Sequence, residues 1–532
     1  MRKDNVPRAA DRPFGRVLVA NRGEIAVRII RACRELGVEA VAVYSDADAR
    51  AQHVRLADAA YRIGPPPPTE SYLRIDAIVE AAVTSGAEAV HPGYGFLAER
   101  AAFAHAVEAA GLRFVGPSPE SIEAIGDKLN ARRLARTVGV PVVPGTLEPA
   151  TLDGQADIEA ILAETERIGF PLLVKAAAGG GGRGMRRVAA AGDLPVALGL
   201  GSTEAASAFG DGSVYLEREI RPARHIEVQL LGDTQGQVVA VGERDCSIQR
   251  RHQKLVEEAP APGLGADERR RLHEMAVRLG AAAGLRNAAT AEFLRDADGR
   301  FWFLEVNTRL QVEHGVTELV SGLDLVREQL WIAAGRPLSA AAKAAAAAAA
   351  EPHGHAIEVR LTAEHPAHDF APAPGTIRRW LMPAGPGVRV DSGVVEGDHV
   401  PPEYDNLVAK LMVHAGDRDT AIDRLRRALD ETVVGGIQTT LPFHRVVARD
   451  ASFRDAQVST DWVADHWDGA ADLKAAVARA KLAAGVESLE PRPPESFPTD
   501  RPVASPAASV PAPDDGRWRR AGRAAAVDRW PR

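Results

Sequence analysis

The sequence predicts a mixed α/β and α+β protein, and three stretches carry that expectation. Arg16-Val-Leu-Val-Ala20 reads as a short buried strand, followed by Glu24–Leu36 with Ile25, Ile29, Cys33 and Leu36 at helical spacing. Gly37 stops that helix and Val38–Tyr44 is the next strand, so a βαβ unit and a Rossmann-like domain open the chain. Further on, the apolar strand Phe170–Lys175 ends in lysine and runs into Ala176-Ala-Ala-Gly-Gly-Gly-Gly-Arg-Gly-Met185. Finally, Ala291–Glu305 places two runs rich in Phe, Leu and Trp around Asp298-Gly299, a strong hairpin signal.

Taken in order, the junction after the first strand is Asn21-Arg-Gly-Glu24, without G-x-G-x-x-G, which argues against a dinucleotide site. A helix over Tyr72–Ser85 leads to Ala87–His91 and the Gly/Pro-rich loop His91–Glu99. Gly116-Pro-Ser-Pro119 begins a helical connector that carries Lys128, and Val140–Pro144 closes it. In the glycine-rich loop, backbone N–H groups can approach an anion and Lys175 adds a point charge; no G-K-[ST] follows, so it is not a Walker A loop. Ser213–Ile220 is a strand into a hinge. Arg224–Gln229 alternates, putting His225, Glu227 and Gln229 on one face, a pattern that water alone could satisfy. In Glu243–Lys254, Arg250, Arg251, His252 and Lys254 crowd together; in a chain of net charge −7 they suggest an anion pocket better than a polyanion surface.

The hairpin is the most informative stretch. With Asp298-Gly299 as its turn, Glu292 lies opposite Glu305, and like charges facing across a sheet repel unless a cation lies between them. Asn307 shares the face of Glu305, so two carboxylates and an amide oxygen form a hard donor set of the kind Mg²⁺ takes beside phosphates. The alternative is an exposed, hydrated pair. Phe293, Leu294, Phe301, Trp302, Phe303 and Leu304 weigh against it, because carboxylates among apolar side chains need partners. Arg309, Gln311 and Glu313 continue in odd-numbered phase if the chain stays extended, adding an anion clamp and a proton acceptor.

Composition narrows the classes. At 532 residues, roughly three or four domains are expected. The net charge of −7 argues against a nucleic-acid binder. Cys33 and Cys246 are too few for a disulfide framework or thiolate cluster and read as ordinary buried residues. Met1–Arg8 lacks the apolar core of a secretory signal, and the alanine-rich run 339–350 is too weakly apolar to span a membrane, so a cytoplasmic location is expected.

Glu305-x-Asn-Thr-Arg-x-Gln-Val-Glu-His314, downstream of Glu243-Arg-Asp-Cys-Ser-x-Gln-Arg-Arg-His-Gln-Lys254, resembles the biotin carboxylase family of ATP-grasp ligases, and the likeness runs from about Val17 to about Asp465. The resemblance implies a Rossmann-like N-terminal domain (1–115), a helical connector (116–142) and an ATP-grasp lid (143–219). An ATP-grasp core with a biotin carboxylase C-terminal domain (220–465) would follow, then a weakly matched, disordered Pro/Ala/Arg-rich end (466–532). It implies ATP contacts from Lys128, Lys175, Gly181, Gly182, Glu217, Arg218, Glu219, Ile220, His225, His252, Glu292 and Glu305. Two Mg²⁺ (or Mn²⁺) ions are expected, with Glu292, Glu305 and Asn307 as ligands. Bicarbonate would meet Lys254, Arg309, Gln311 and the Val312 backbone, with Glu313 as base; biotin would lie near Tyr94, with Arg309 and Arg360 steadying its enolate. The segment 400–410 matches well, with an architectural role.

Three departures stand out: Ala177 and Ala178 replace a serine and a glycine at the edge of the lid loop, and Gly315 replaces a proline. Gly315 is expected to loosen Glu313. No methionine neighbours a lysine, so biotin is expected on a separate carrier protein, with carboxyltransferase subunits as further partners and a homodimer as the assembly. Two rivals remain at this level: another carboxyphosphate-forming ATP-grasp ligase, and a catalytically silent ATP-binding subunit.

Overall fold

The computed structural model describes residues 12–149, 155–177 and 185–483. Ala178, Gly181 and Gly182 of the glycine-rich loop, and the Pro/Ala/Arg-rich end from 484 onward, lie outside the described residues.

The first sheet follows the expected βαβ pattern. β1 (Arg16–Val19), β2 (Glu39–Ser45), β3 (Ala59–Gly64), β4 (Ala89–His91) and β5 (Arg113–Phe114) pair in parallel in the order β3-β2-β1-β4-β5. The helix Gly23–Glu35 buries Ile25, Ile29 and Cys33 against this sheet, as its periodicity predicts. The expected helix over Tyr72–Ser85 is shorter, Ile75–Thr84, because Pro68–Glu70 takes a tight 3₁₀ turn first. A second, antiparallel sheet of β6 (Leu172–Ala176), β7 (Arg186–Val188) and β8 (Val214–Arg218) carries the helix Leu194–Phe209 and its own small core.

The third sheet organises the rest. β9 (Ala223–Gly232), β10 (Val238–Arg250), β11 (Gln253–Ala259), β12 (Asn287–Asp296), β13 (Phe301–Asn307) and β14 (His355–Thr362) join the strands Leu407–Ala415 and Val388–Ser392. The order is β13-β12-β9-β10-β11-β14, then Leu407–Ala415 and Val388–Ser392. Its antiparallel pairing puts chemistry from distant stretches of sequence on one face. The alanine tract forms a helix, Ala340–Ala348, capped by Ser339, whose side chain accepts from the Ala342 N–H.

The hairpin differs from expectation in an instructive way. The loop has three residues, Ala297, Asp298 and Gly299: the Asp296 N–H donates to the Arg300 carbonyl, and Gly299 alone is left-handed, at φ +80°. That offsets Phe293, Leu294 and Arg295 onto Phe303, Trp302 and Phe301. A β-bulge at Leu304 then restores the register, so Glu292 does face Glu305 and Thr290 faces Asn307. Beside the bulge, the Phe303 N–H donates to the Pro141 carbonyl at 2.7 Å, tying the helical connector to this edge strand.

The two turn geometries make opposite predictions. A two-residue turn would hold both Asp298 and Gly299 left-handed, so Asp298→Gly would stabilise; in the three-residue loop it lowers stability by about 0.5–1 kcal/mol through unfolded-chain entropy. Gly299→Ala should cost about 1 kcal/mol or more. Denaturant midpoints of the two variants check both, and a stabilising Asp298→Gly would contradict the observed loop.

Candidate active site

Three glutamates stand in a row across three neighbouring strands. Glu292 on β12 is paired in register with Glu305 on β13 and with Glu227 on β9. The alternation of β9 turns His225, Glu227 and Gln229 inward, and all three are buried, so this face is not hydrated. Two lysines hold the row together. Lys254 Nζ donates to Glu292 Oε1 at 2.8 Å and to Glu313 Oε1 at 2.7 Å, and also to Glu227. Lys128 reaches Glu305 at 3.3 Å.

Lys254 is delivered by the β10–β11 hairpin, where Arg250 pairs with Gln253 across the two-residue turn Arg251-His252. Glu313 is delivered by the turn after β13: the chain does not stay extended as expected, and Glu313 instead stands at the N-terminus of the helix His314–Ser321. Arg360 Nη2 donates to its other oxygen, Oε2, at 2.9 Å, while Arg360 Nε donates to Glu257 at 2.5 Å. Arg309 fans across the site, donating to Gln311 Oε1 at 2.9 Å, Asn307 Oδ1 at 3.2 Å and Glu99 Oε2 at 2.9 Å. The Val312 carbonyl is taken by Lys410 Nζ at 2.6 Å. Tyr94 lies close by, its ring 5.9 Å from Lys410 Nζ.

Burial alone would discharge these groups; their partners reverse that. For Lys254, desolvation is outweighed by Glu227, Glu292 and Glu313, and its pKa is raised well above the ordinary lysine value. Burial likewise works against ionised Glu292 and Glu313, yet Lys254 with His225, and Lys254 with Arg360 and Arg244, hold the two carboxyls well below the usual range. His225, 3.1 Å from Glu292 Oε2, is raised despite its burial. The opposite happens one strand pair away. Glu257 faces Glu358 directly across β11 and β14, and burial, only partly offset by Arg360, pushes Glu257 up to about 7. Glu358, neither of whose oxygens has a hydrogen-bond partner among the described residues, is raised well above the carboxylate range by burial and by Glu257.

A second node lies toward the lid sheet. Lys175 and Arg132 both grip the buried Glu217. Burial opposes its charge, but Lys175, Arg132 and Lys128 keep it ionised, with a lowered pKa. Lys128 thus sits between the two nodes. Arg218 is exposed, Glu219 pairs with Arg187 at 2.7 Å, and Ile220 is half-buried.

The donor set suits a hard divalent ion. Glu292 and Glu305 face each other in register, Asn307 lies against Glu292, and Glu305 is half-buried with Lys128 as its ion-pair partner. Two clusters, His225-Glu227-Glu292 and Glu227-Cys246-Glu313, have ligand atoms within 4.8 Å of one another, and Lys254 already supplies positive charge to their carboxylates.

Several expectations need correction. Arg250 and Arg251 do not line an anion pocket; they turn onto Asp369, while Lys254 enters the carboxylate cluster. Cys33 and Cys246 are free and buried, as expected, and Cys246 Sγ lies 4.0 Å from Glu313 Oε1. Gly315 lies in the first turn of the helix His314–Ser321, where a Cβ would run into Met412 Sδ. Sequence reasoning missed Arg244, Glu257, Glu358, Lys410 and Glu99 as parts of this network. The signal for Glu358 was available: His355–Arg360 alternates, and places Glu358 and Arg360 on one face.

Lid sheet, cation-lined cleft and acidic row together define an ATP-grasp ligase. Comparison with known proteins carries this further. The chain matches the models for the biotin carboxylase N-terminal domain over residues 13–122, the carbamoyl-phosphate synthase L chain ATP-binding domain over 127–341, and the biotin carboxylase C-terminal domain over 358–465. It is 49% identical to the biotin carboxylase of Pseudomonas aeruginosa over 438 residues, covering 82% of this chain and 95% of that one. It is 47% identical over 456 residues to a pyruvate carboxylase subunit of Methanothermobacter thermautotrophicus, covering 86% and 91%. Among solved structures, the biotin carboxylase domain of Hydrogenobacter thermophilus 2-oxoglutarate carboxylase, a dimer in complex with MgADP, ADP and bicarbonate, superposes with a TM-score of 0.81 at 43% identity, covering 85% and 98%. The chain belongs to the biotin carboxylase family and is an ATP-dependent ligase. No helix among the described residues is long and apolar enough to cross a membrane.

Glu24 makes the electrostatics testable away from the reaction. It is buried in the first helix, 3.6 Å from Lys410, and burial, only partly offset by Lys410, raises it from 4.5 to about 7. The folded protein therefore keeps a proton that the unfolded chain loses, and that stability is present at low pH and disappears as pH rises through this window. Glu24→Gln should flatten the pH dependence by roughly 1.4 kcal/mol per pH unit within it. Denaturant titrations from about pH 5 to about pH 8 measure this; an unchanged slope would show Glu24 ionised throughout.

Proposed function

We propose that this site carboxylates biotin with bicarbonate and ATP through carboxyphosphate, the biotin being presented by a carrier protein. The observation that carries the assignment of residues is the ammonium of Lys254, shared by three carboxylates, one of which is gripped on its far side by Arg360.

In this reading Lys128, Lys175, His252 and the backbone of Gly181 and Gly182 neutralise the ATP phosphates, Glu217–Ile220 meet the adenine, and His225 also contacts the nucleotide. Glu292, Glu305 and Asn307 would hold Mg²⁺, which when bound offsets the negative charge of the transferring phosphoryl group. Bicarbonate takes the place between Lys254, Arg309, Gln311 and the Val312 N–H; Lys410, by holding the Val312 carbonyl, fixes the peptide plane that leads into Glu313. Glu313 takes the bicarbonate proton. Its depressed pKa guarantees a charged acceptor, and its basicity rises once Lys254 is shared with the substrate anion.

The bicarbonate oxygen then bonds to the γ-phosphorus as ADP leaves. Carboxyphosphate breaks into CO₂ and phosphate, and the phosphate removes the ureido proton of biotin. Arg309 and Arg360 stabilise the resulting enolate, with Tyr94 nearby, and its nitrogen attacks CO₂. The model matched over 127–341 is that of the carbamoyl-phosphate synthase ATP-binding domain, but the models matched before and after it are those of biotin carboxylase, which favours biotin over the rival ligase. Relatives that are subunits or domains of larger carboxylases support a carrier protein and a carboxyltransferase as partners, and a dimer is the assembly this reading adopts.

ADP release in the presence of Mg²⁺ should require bicarbonate and rise with free biotin. Glu313→Gln should lower that turnover by about 10²–10⁴-fold with ATP affinity little changed. Bicarbonate-dependent turnover indifferent to free and carrier-bound biotin would contradict the assigned reaction, and an active Glu313→Gln would contradict the assigned base. Arg309→Glu separates the anion clamp from nucleotide binding: carboxylation should vanish while ATP still binds, as calorimetry can show.

A further inference from the structure

Seven described residues other than glycine have positive φ, and four of them form two adjacent pairs: Arg251 (φ 48°) with His252 (φ 66°), and Asp369 (φ 53°) with Phe370 (φ 54°). Left-handed backbone is uphill for residues with a Cβ, so consecutive pairs persist only where something outside them holds them. Here each pair holds the other. Asp369 accepts from Arg250 through one carboxylate oxygen and from Arg251 Nη2 at 2.7 Å through the other, and the Arg250 guanidinium lies 4.9 Å over the ring of Phe370.

The second pair is firmly based. Phe370 is buried in the C-terminal core, with its ring 5.4 Å from Phe443 in an edge-on contact. Asp369 therefore projects from a fixed post toward a turn that has no core residues of its own. That turn carries His252. His252 is exposed at the hairpin tip, two positions before Lys254, which enters the carboxylate cluster; partial desolvation and the charges of Lys175, His225 and Lys128 draw its pKa down.

We propose that Asp369 is a positioning residue for nucleotide binding: by clamping Arg250 and Arg251 it locks the left-handed turn that aims His252 at the ATP phosphates. This rests on the reading of His252 given above. It also explains why two arginines beside an anion site face away from it. Their charges are engaged by the carboxylate that shapes the turn, and Lys254, two positions beyond His252, enters the carboxylate cluster.

Asp369→Asn separates charge from backbone, because asparagine tolerates the left-handed region but cannot hold two guanidinium groups. The KM for ATP in bicarbonate-dependent ADP release should rise about three- to fivefold, with kcat and the thermal midpoint little changed, in keeping with the loss of an exposed charge clamp. Adding Arg251→Gly, which makes the turn left-handed without outside help, should return KM toward the starting value. An unchanged KM in Asp369→Asn, or a raised KM that Arg251→Gly fails to restore, overturns the proposal. His252→Ala is the companion measurement. If it raises KM while Asp369→Asn does not, only the positioning role fails; if His252→Ala has no effect, the phosphate assignment of His252 fails and the proposal with it.

Discussion

The structure depends on one ammonium group. Glu305, Glu292 and Glu227 stand side by side on three adjacent strands, an arrangement that repels itself in any medium and is most costly where water is excluded. Lys254 makes it tolerable by donating to Glu227 and Glu292 and extending the same charge to Glu313. Removing one partner of such a buried cluster leaves the others uncompensated, so it behaves as a unit. Substrates enter by exchanging partners with it: anions compete for Lys254 and Arg309, and cations for the carboxylates that Lys254 and Lys128 now occupy.

The continuous eight-stranded sheet is what makes this arrangement of charge possible. β9 brings Glu227, β11 brings Lys254, β12 brings Glu292 and β14 brings Arg360, although helices lie in the chain between β11 and β12 and between β12 and β14. Further from the cleft the same sheet uses the opposite device. Glu257 and Glu358 face each other, and burial raises both carboxyls even though Arg360 pairs with Glu257. Carboxyls with lowered pKa therefore gather round Lys254, with raised ones on the neighbouring strand pair.

Much of this was legible in the sequence. The βαβ opening follows from apolar spacing over Glu24–Leu36, and the inward face of β9 from the alternation of His225, Glu227 and Gln229. Glu292 and Glu305 can be paired from Asp298-Gly299, but only because the bulge at Leu304 cancels the extra loop residue. What stayed hidden depends on pairing between distant strands. Nothing local to Glu257 announces Glu358, and nothing local to Arg250 announces Asp369, 119 positions further along the chain. Lys410 was visible as part of a matched segment, but its hold on the Val312 carbonyl emerges only when two strands and a turn are brought together. Local patterns report which face a side chain takes; register between remote strands decides what it meets there.

The most direct test of the central claim is bicarbonate-dependent ADP release by Lys254→Gln, measured alongside its ATP affinity. Loss of the shared ammonium should reduce turnover by at least about 10²-fold, since its charge is aimed at the reacting anion in a site shielded from water. ATP, held mainly by Lys128, Lys175 and the lid, should still bind within a few-fold. Turnover close to that of the unaltered protein would contradict the account, because the three glutamates and the substrate would then need no common cation.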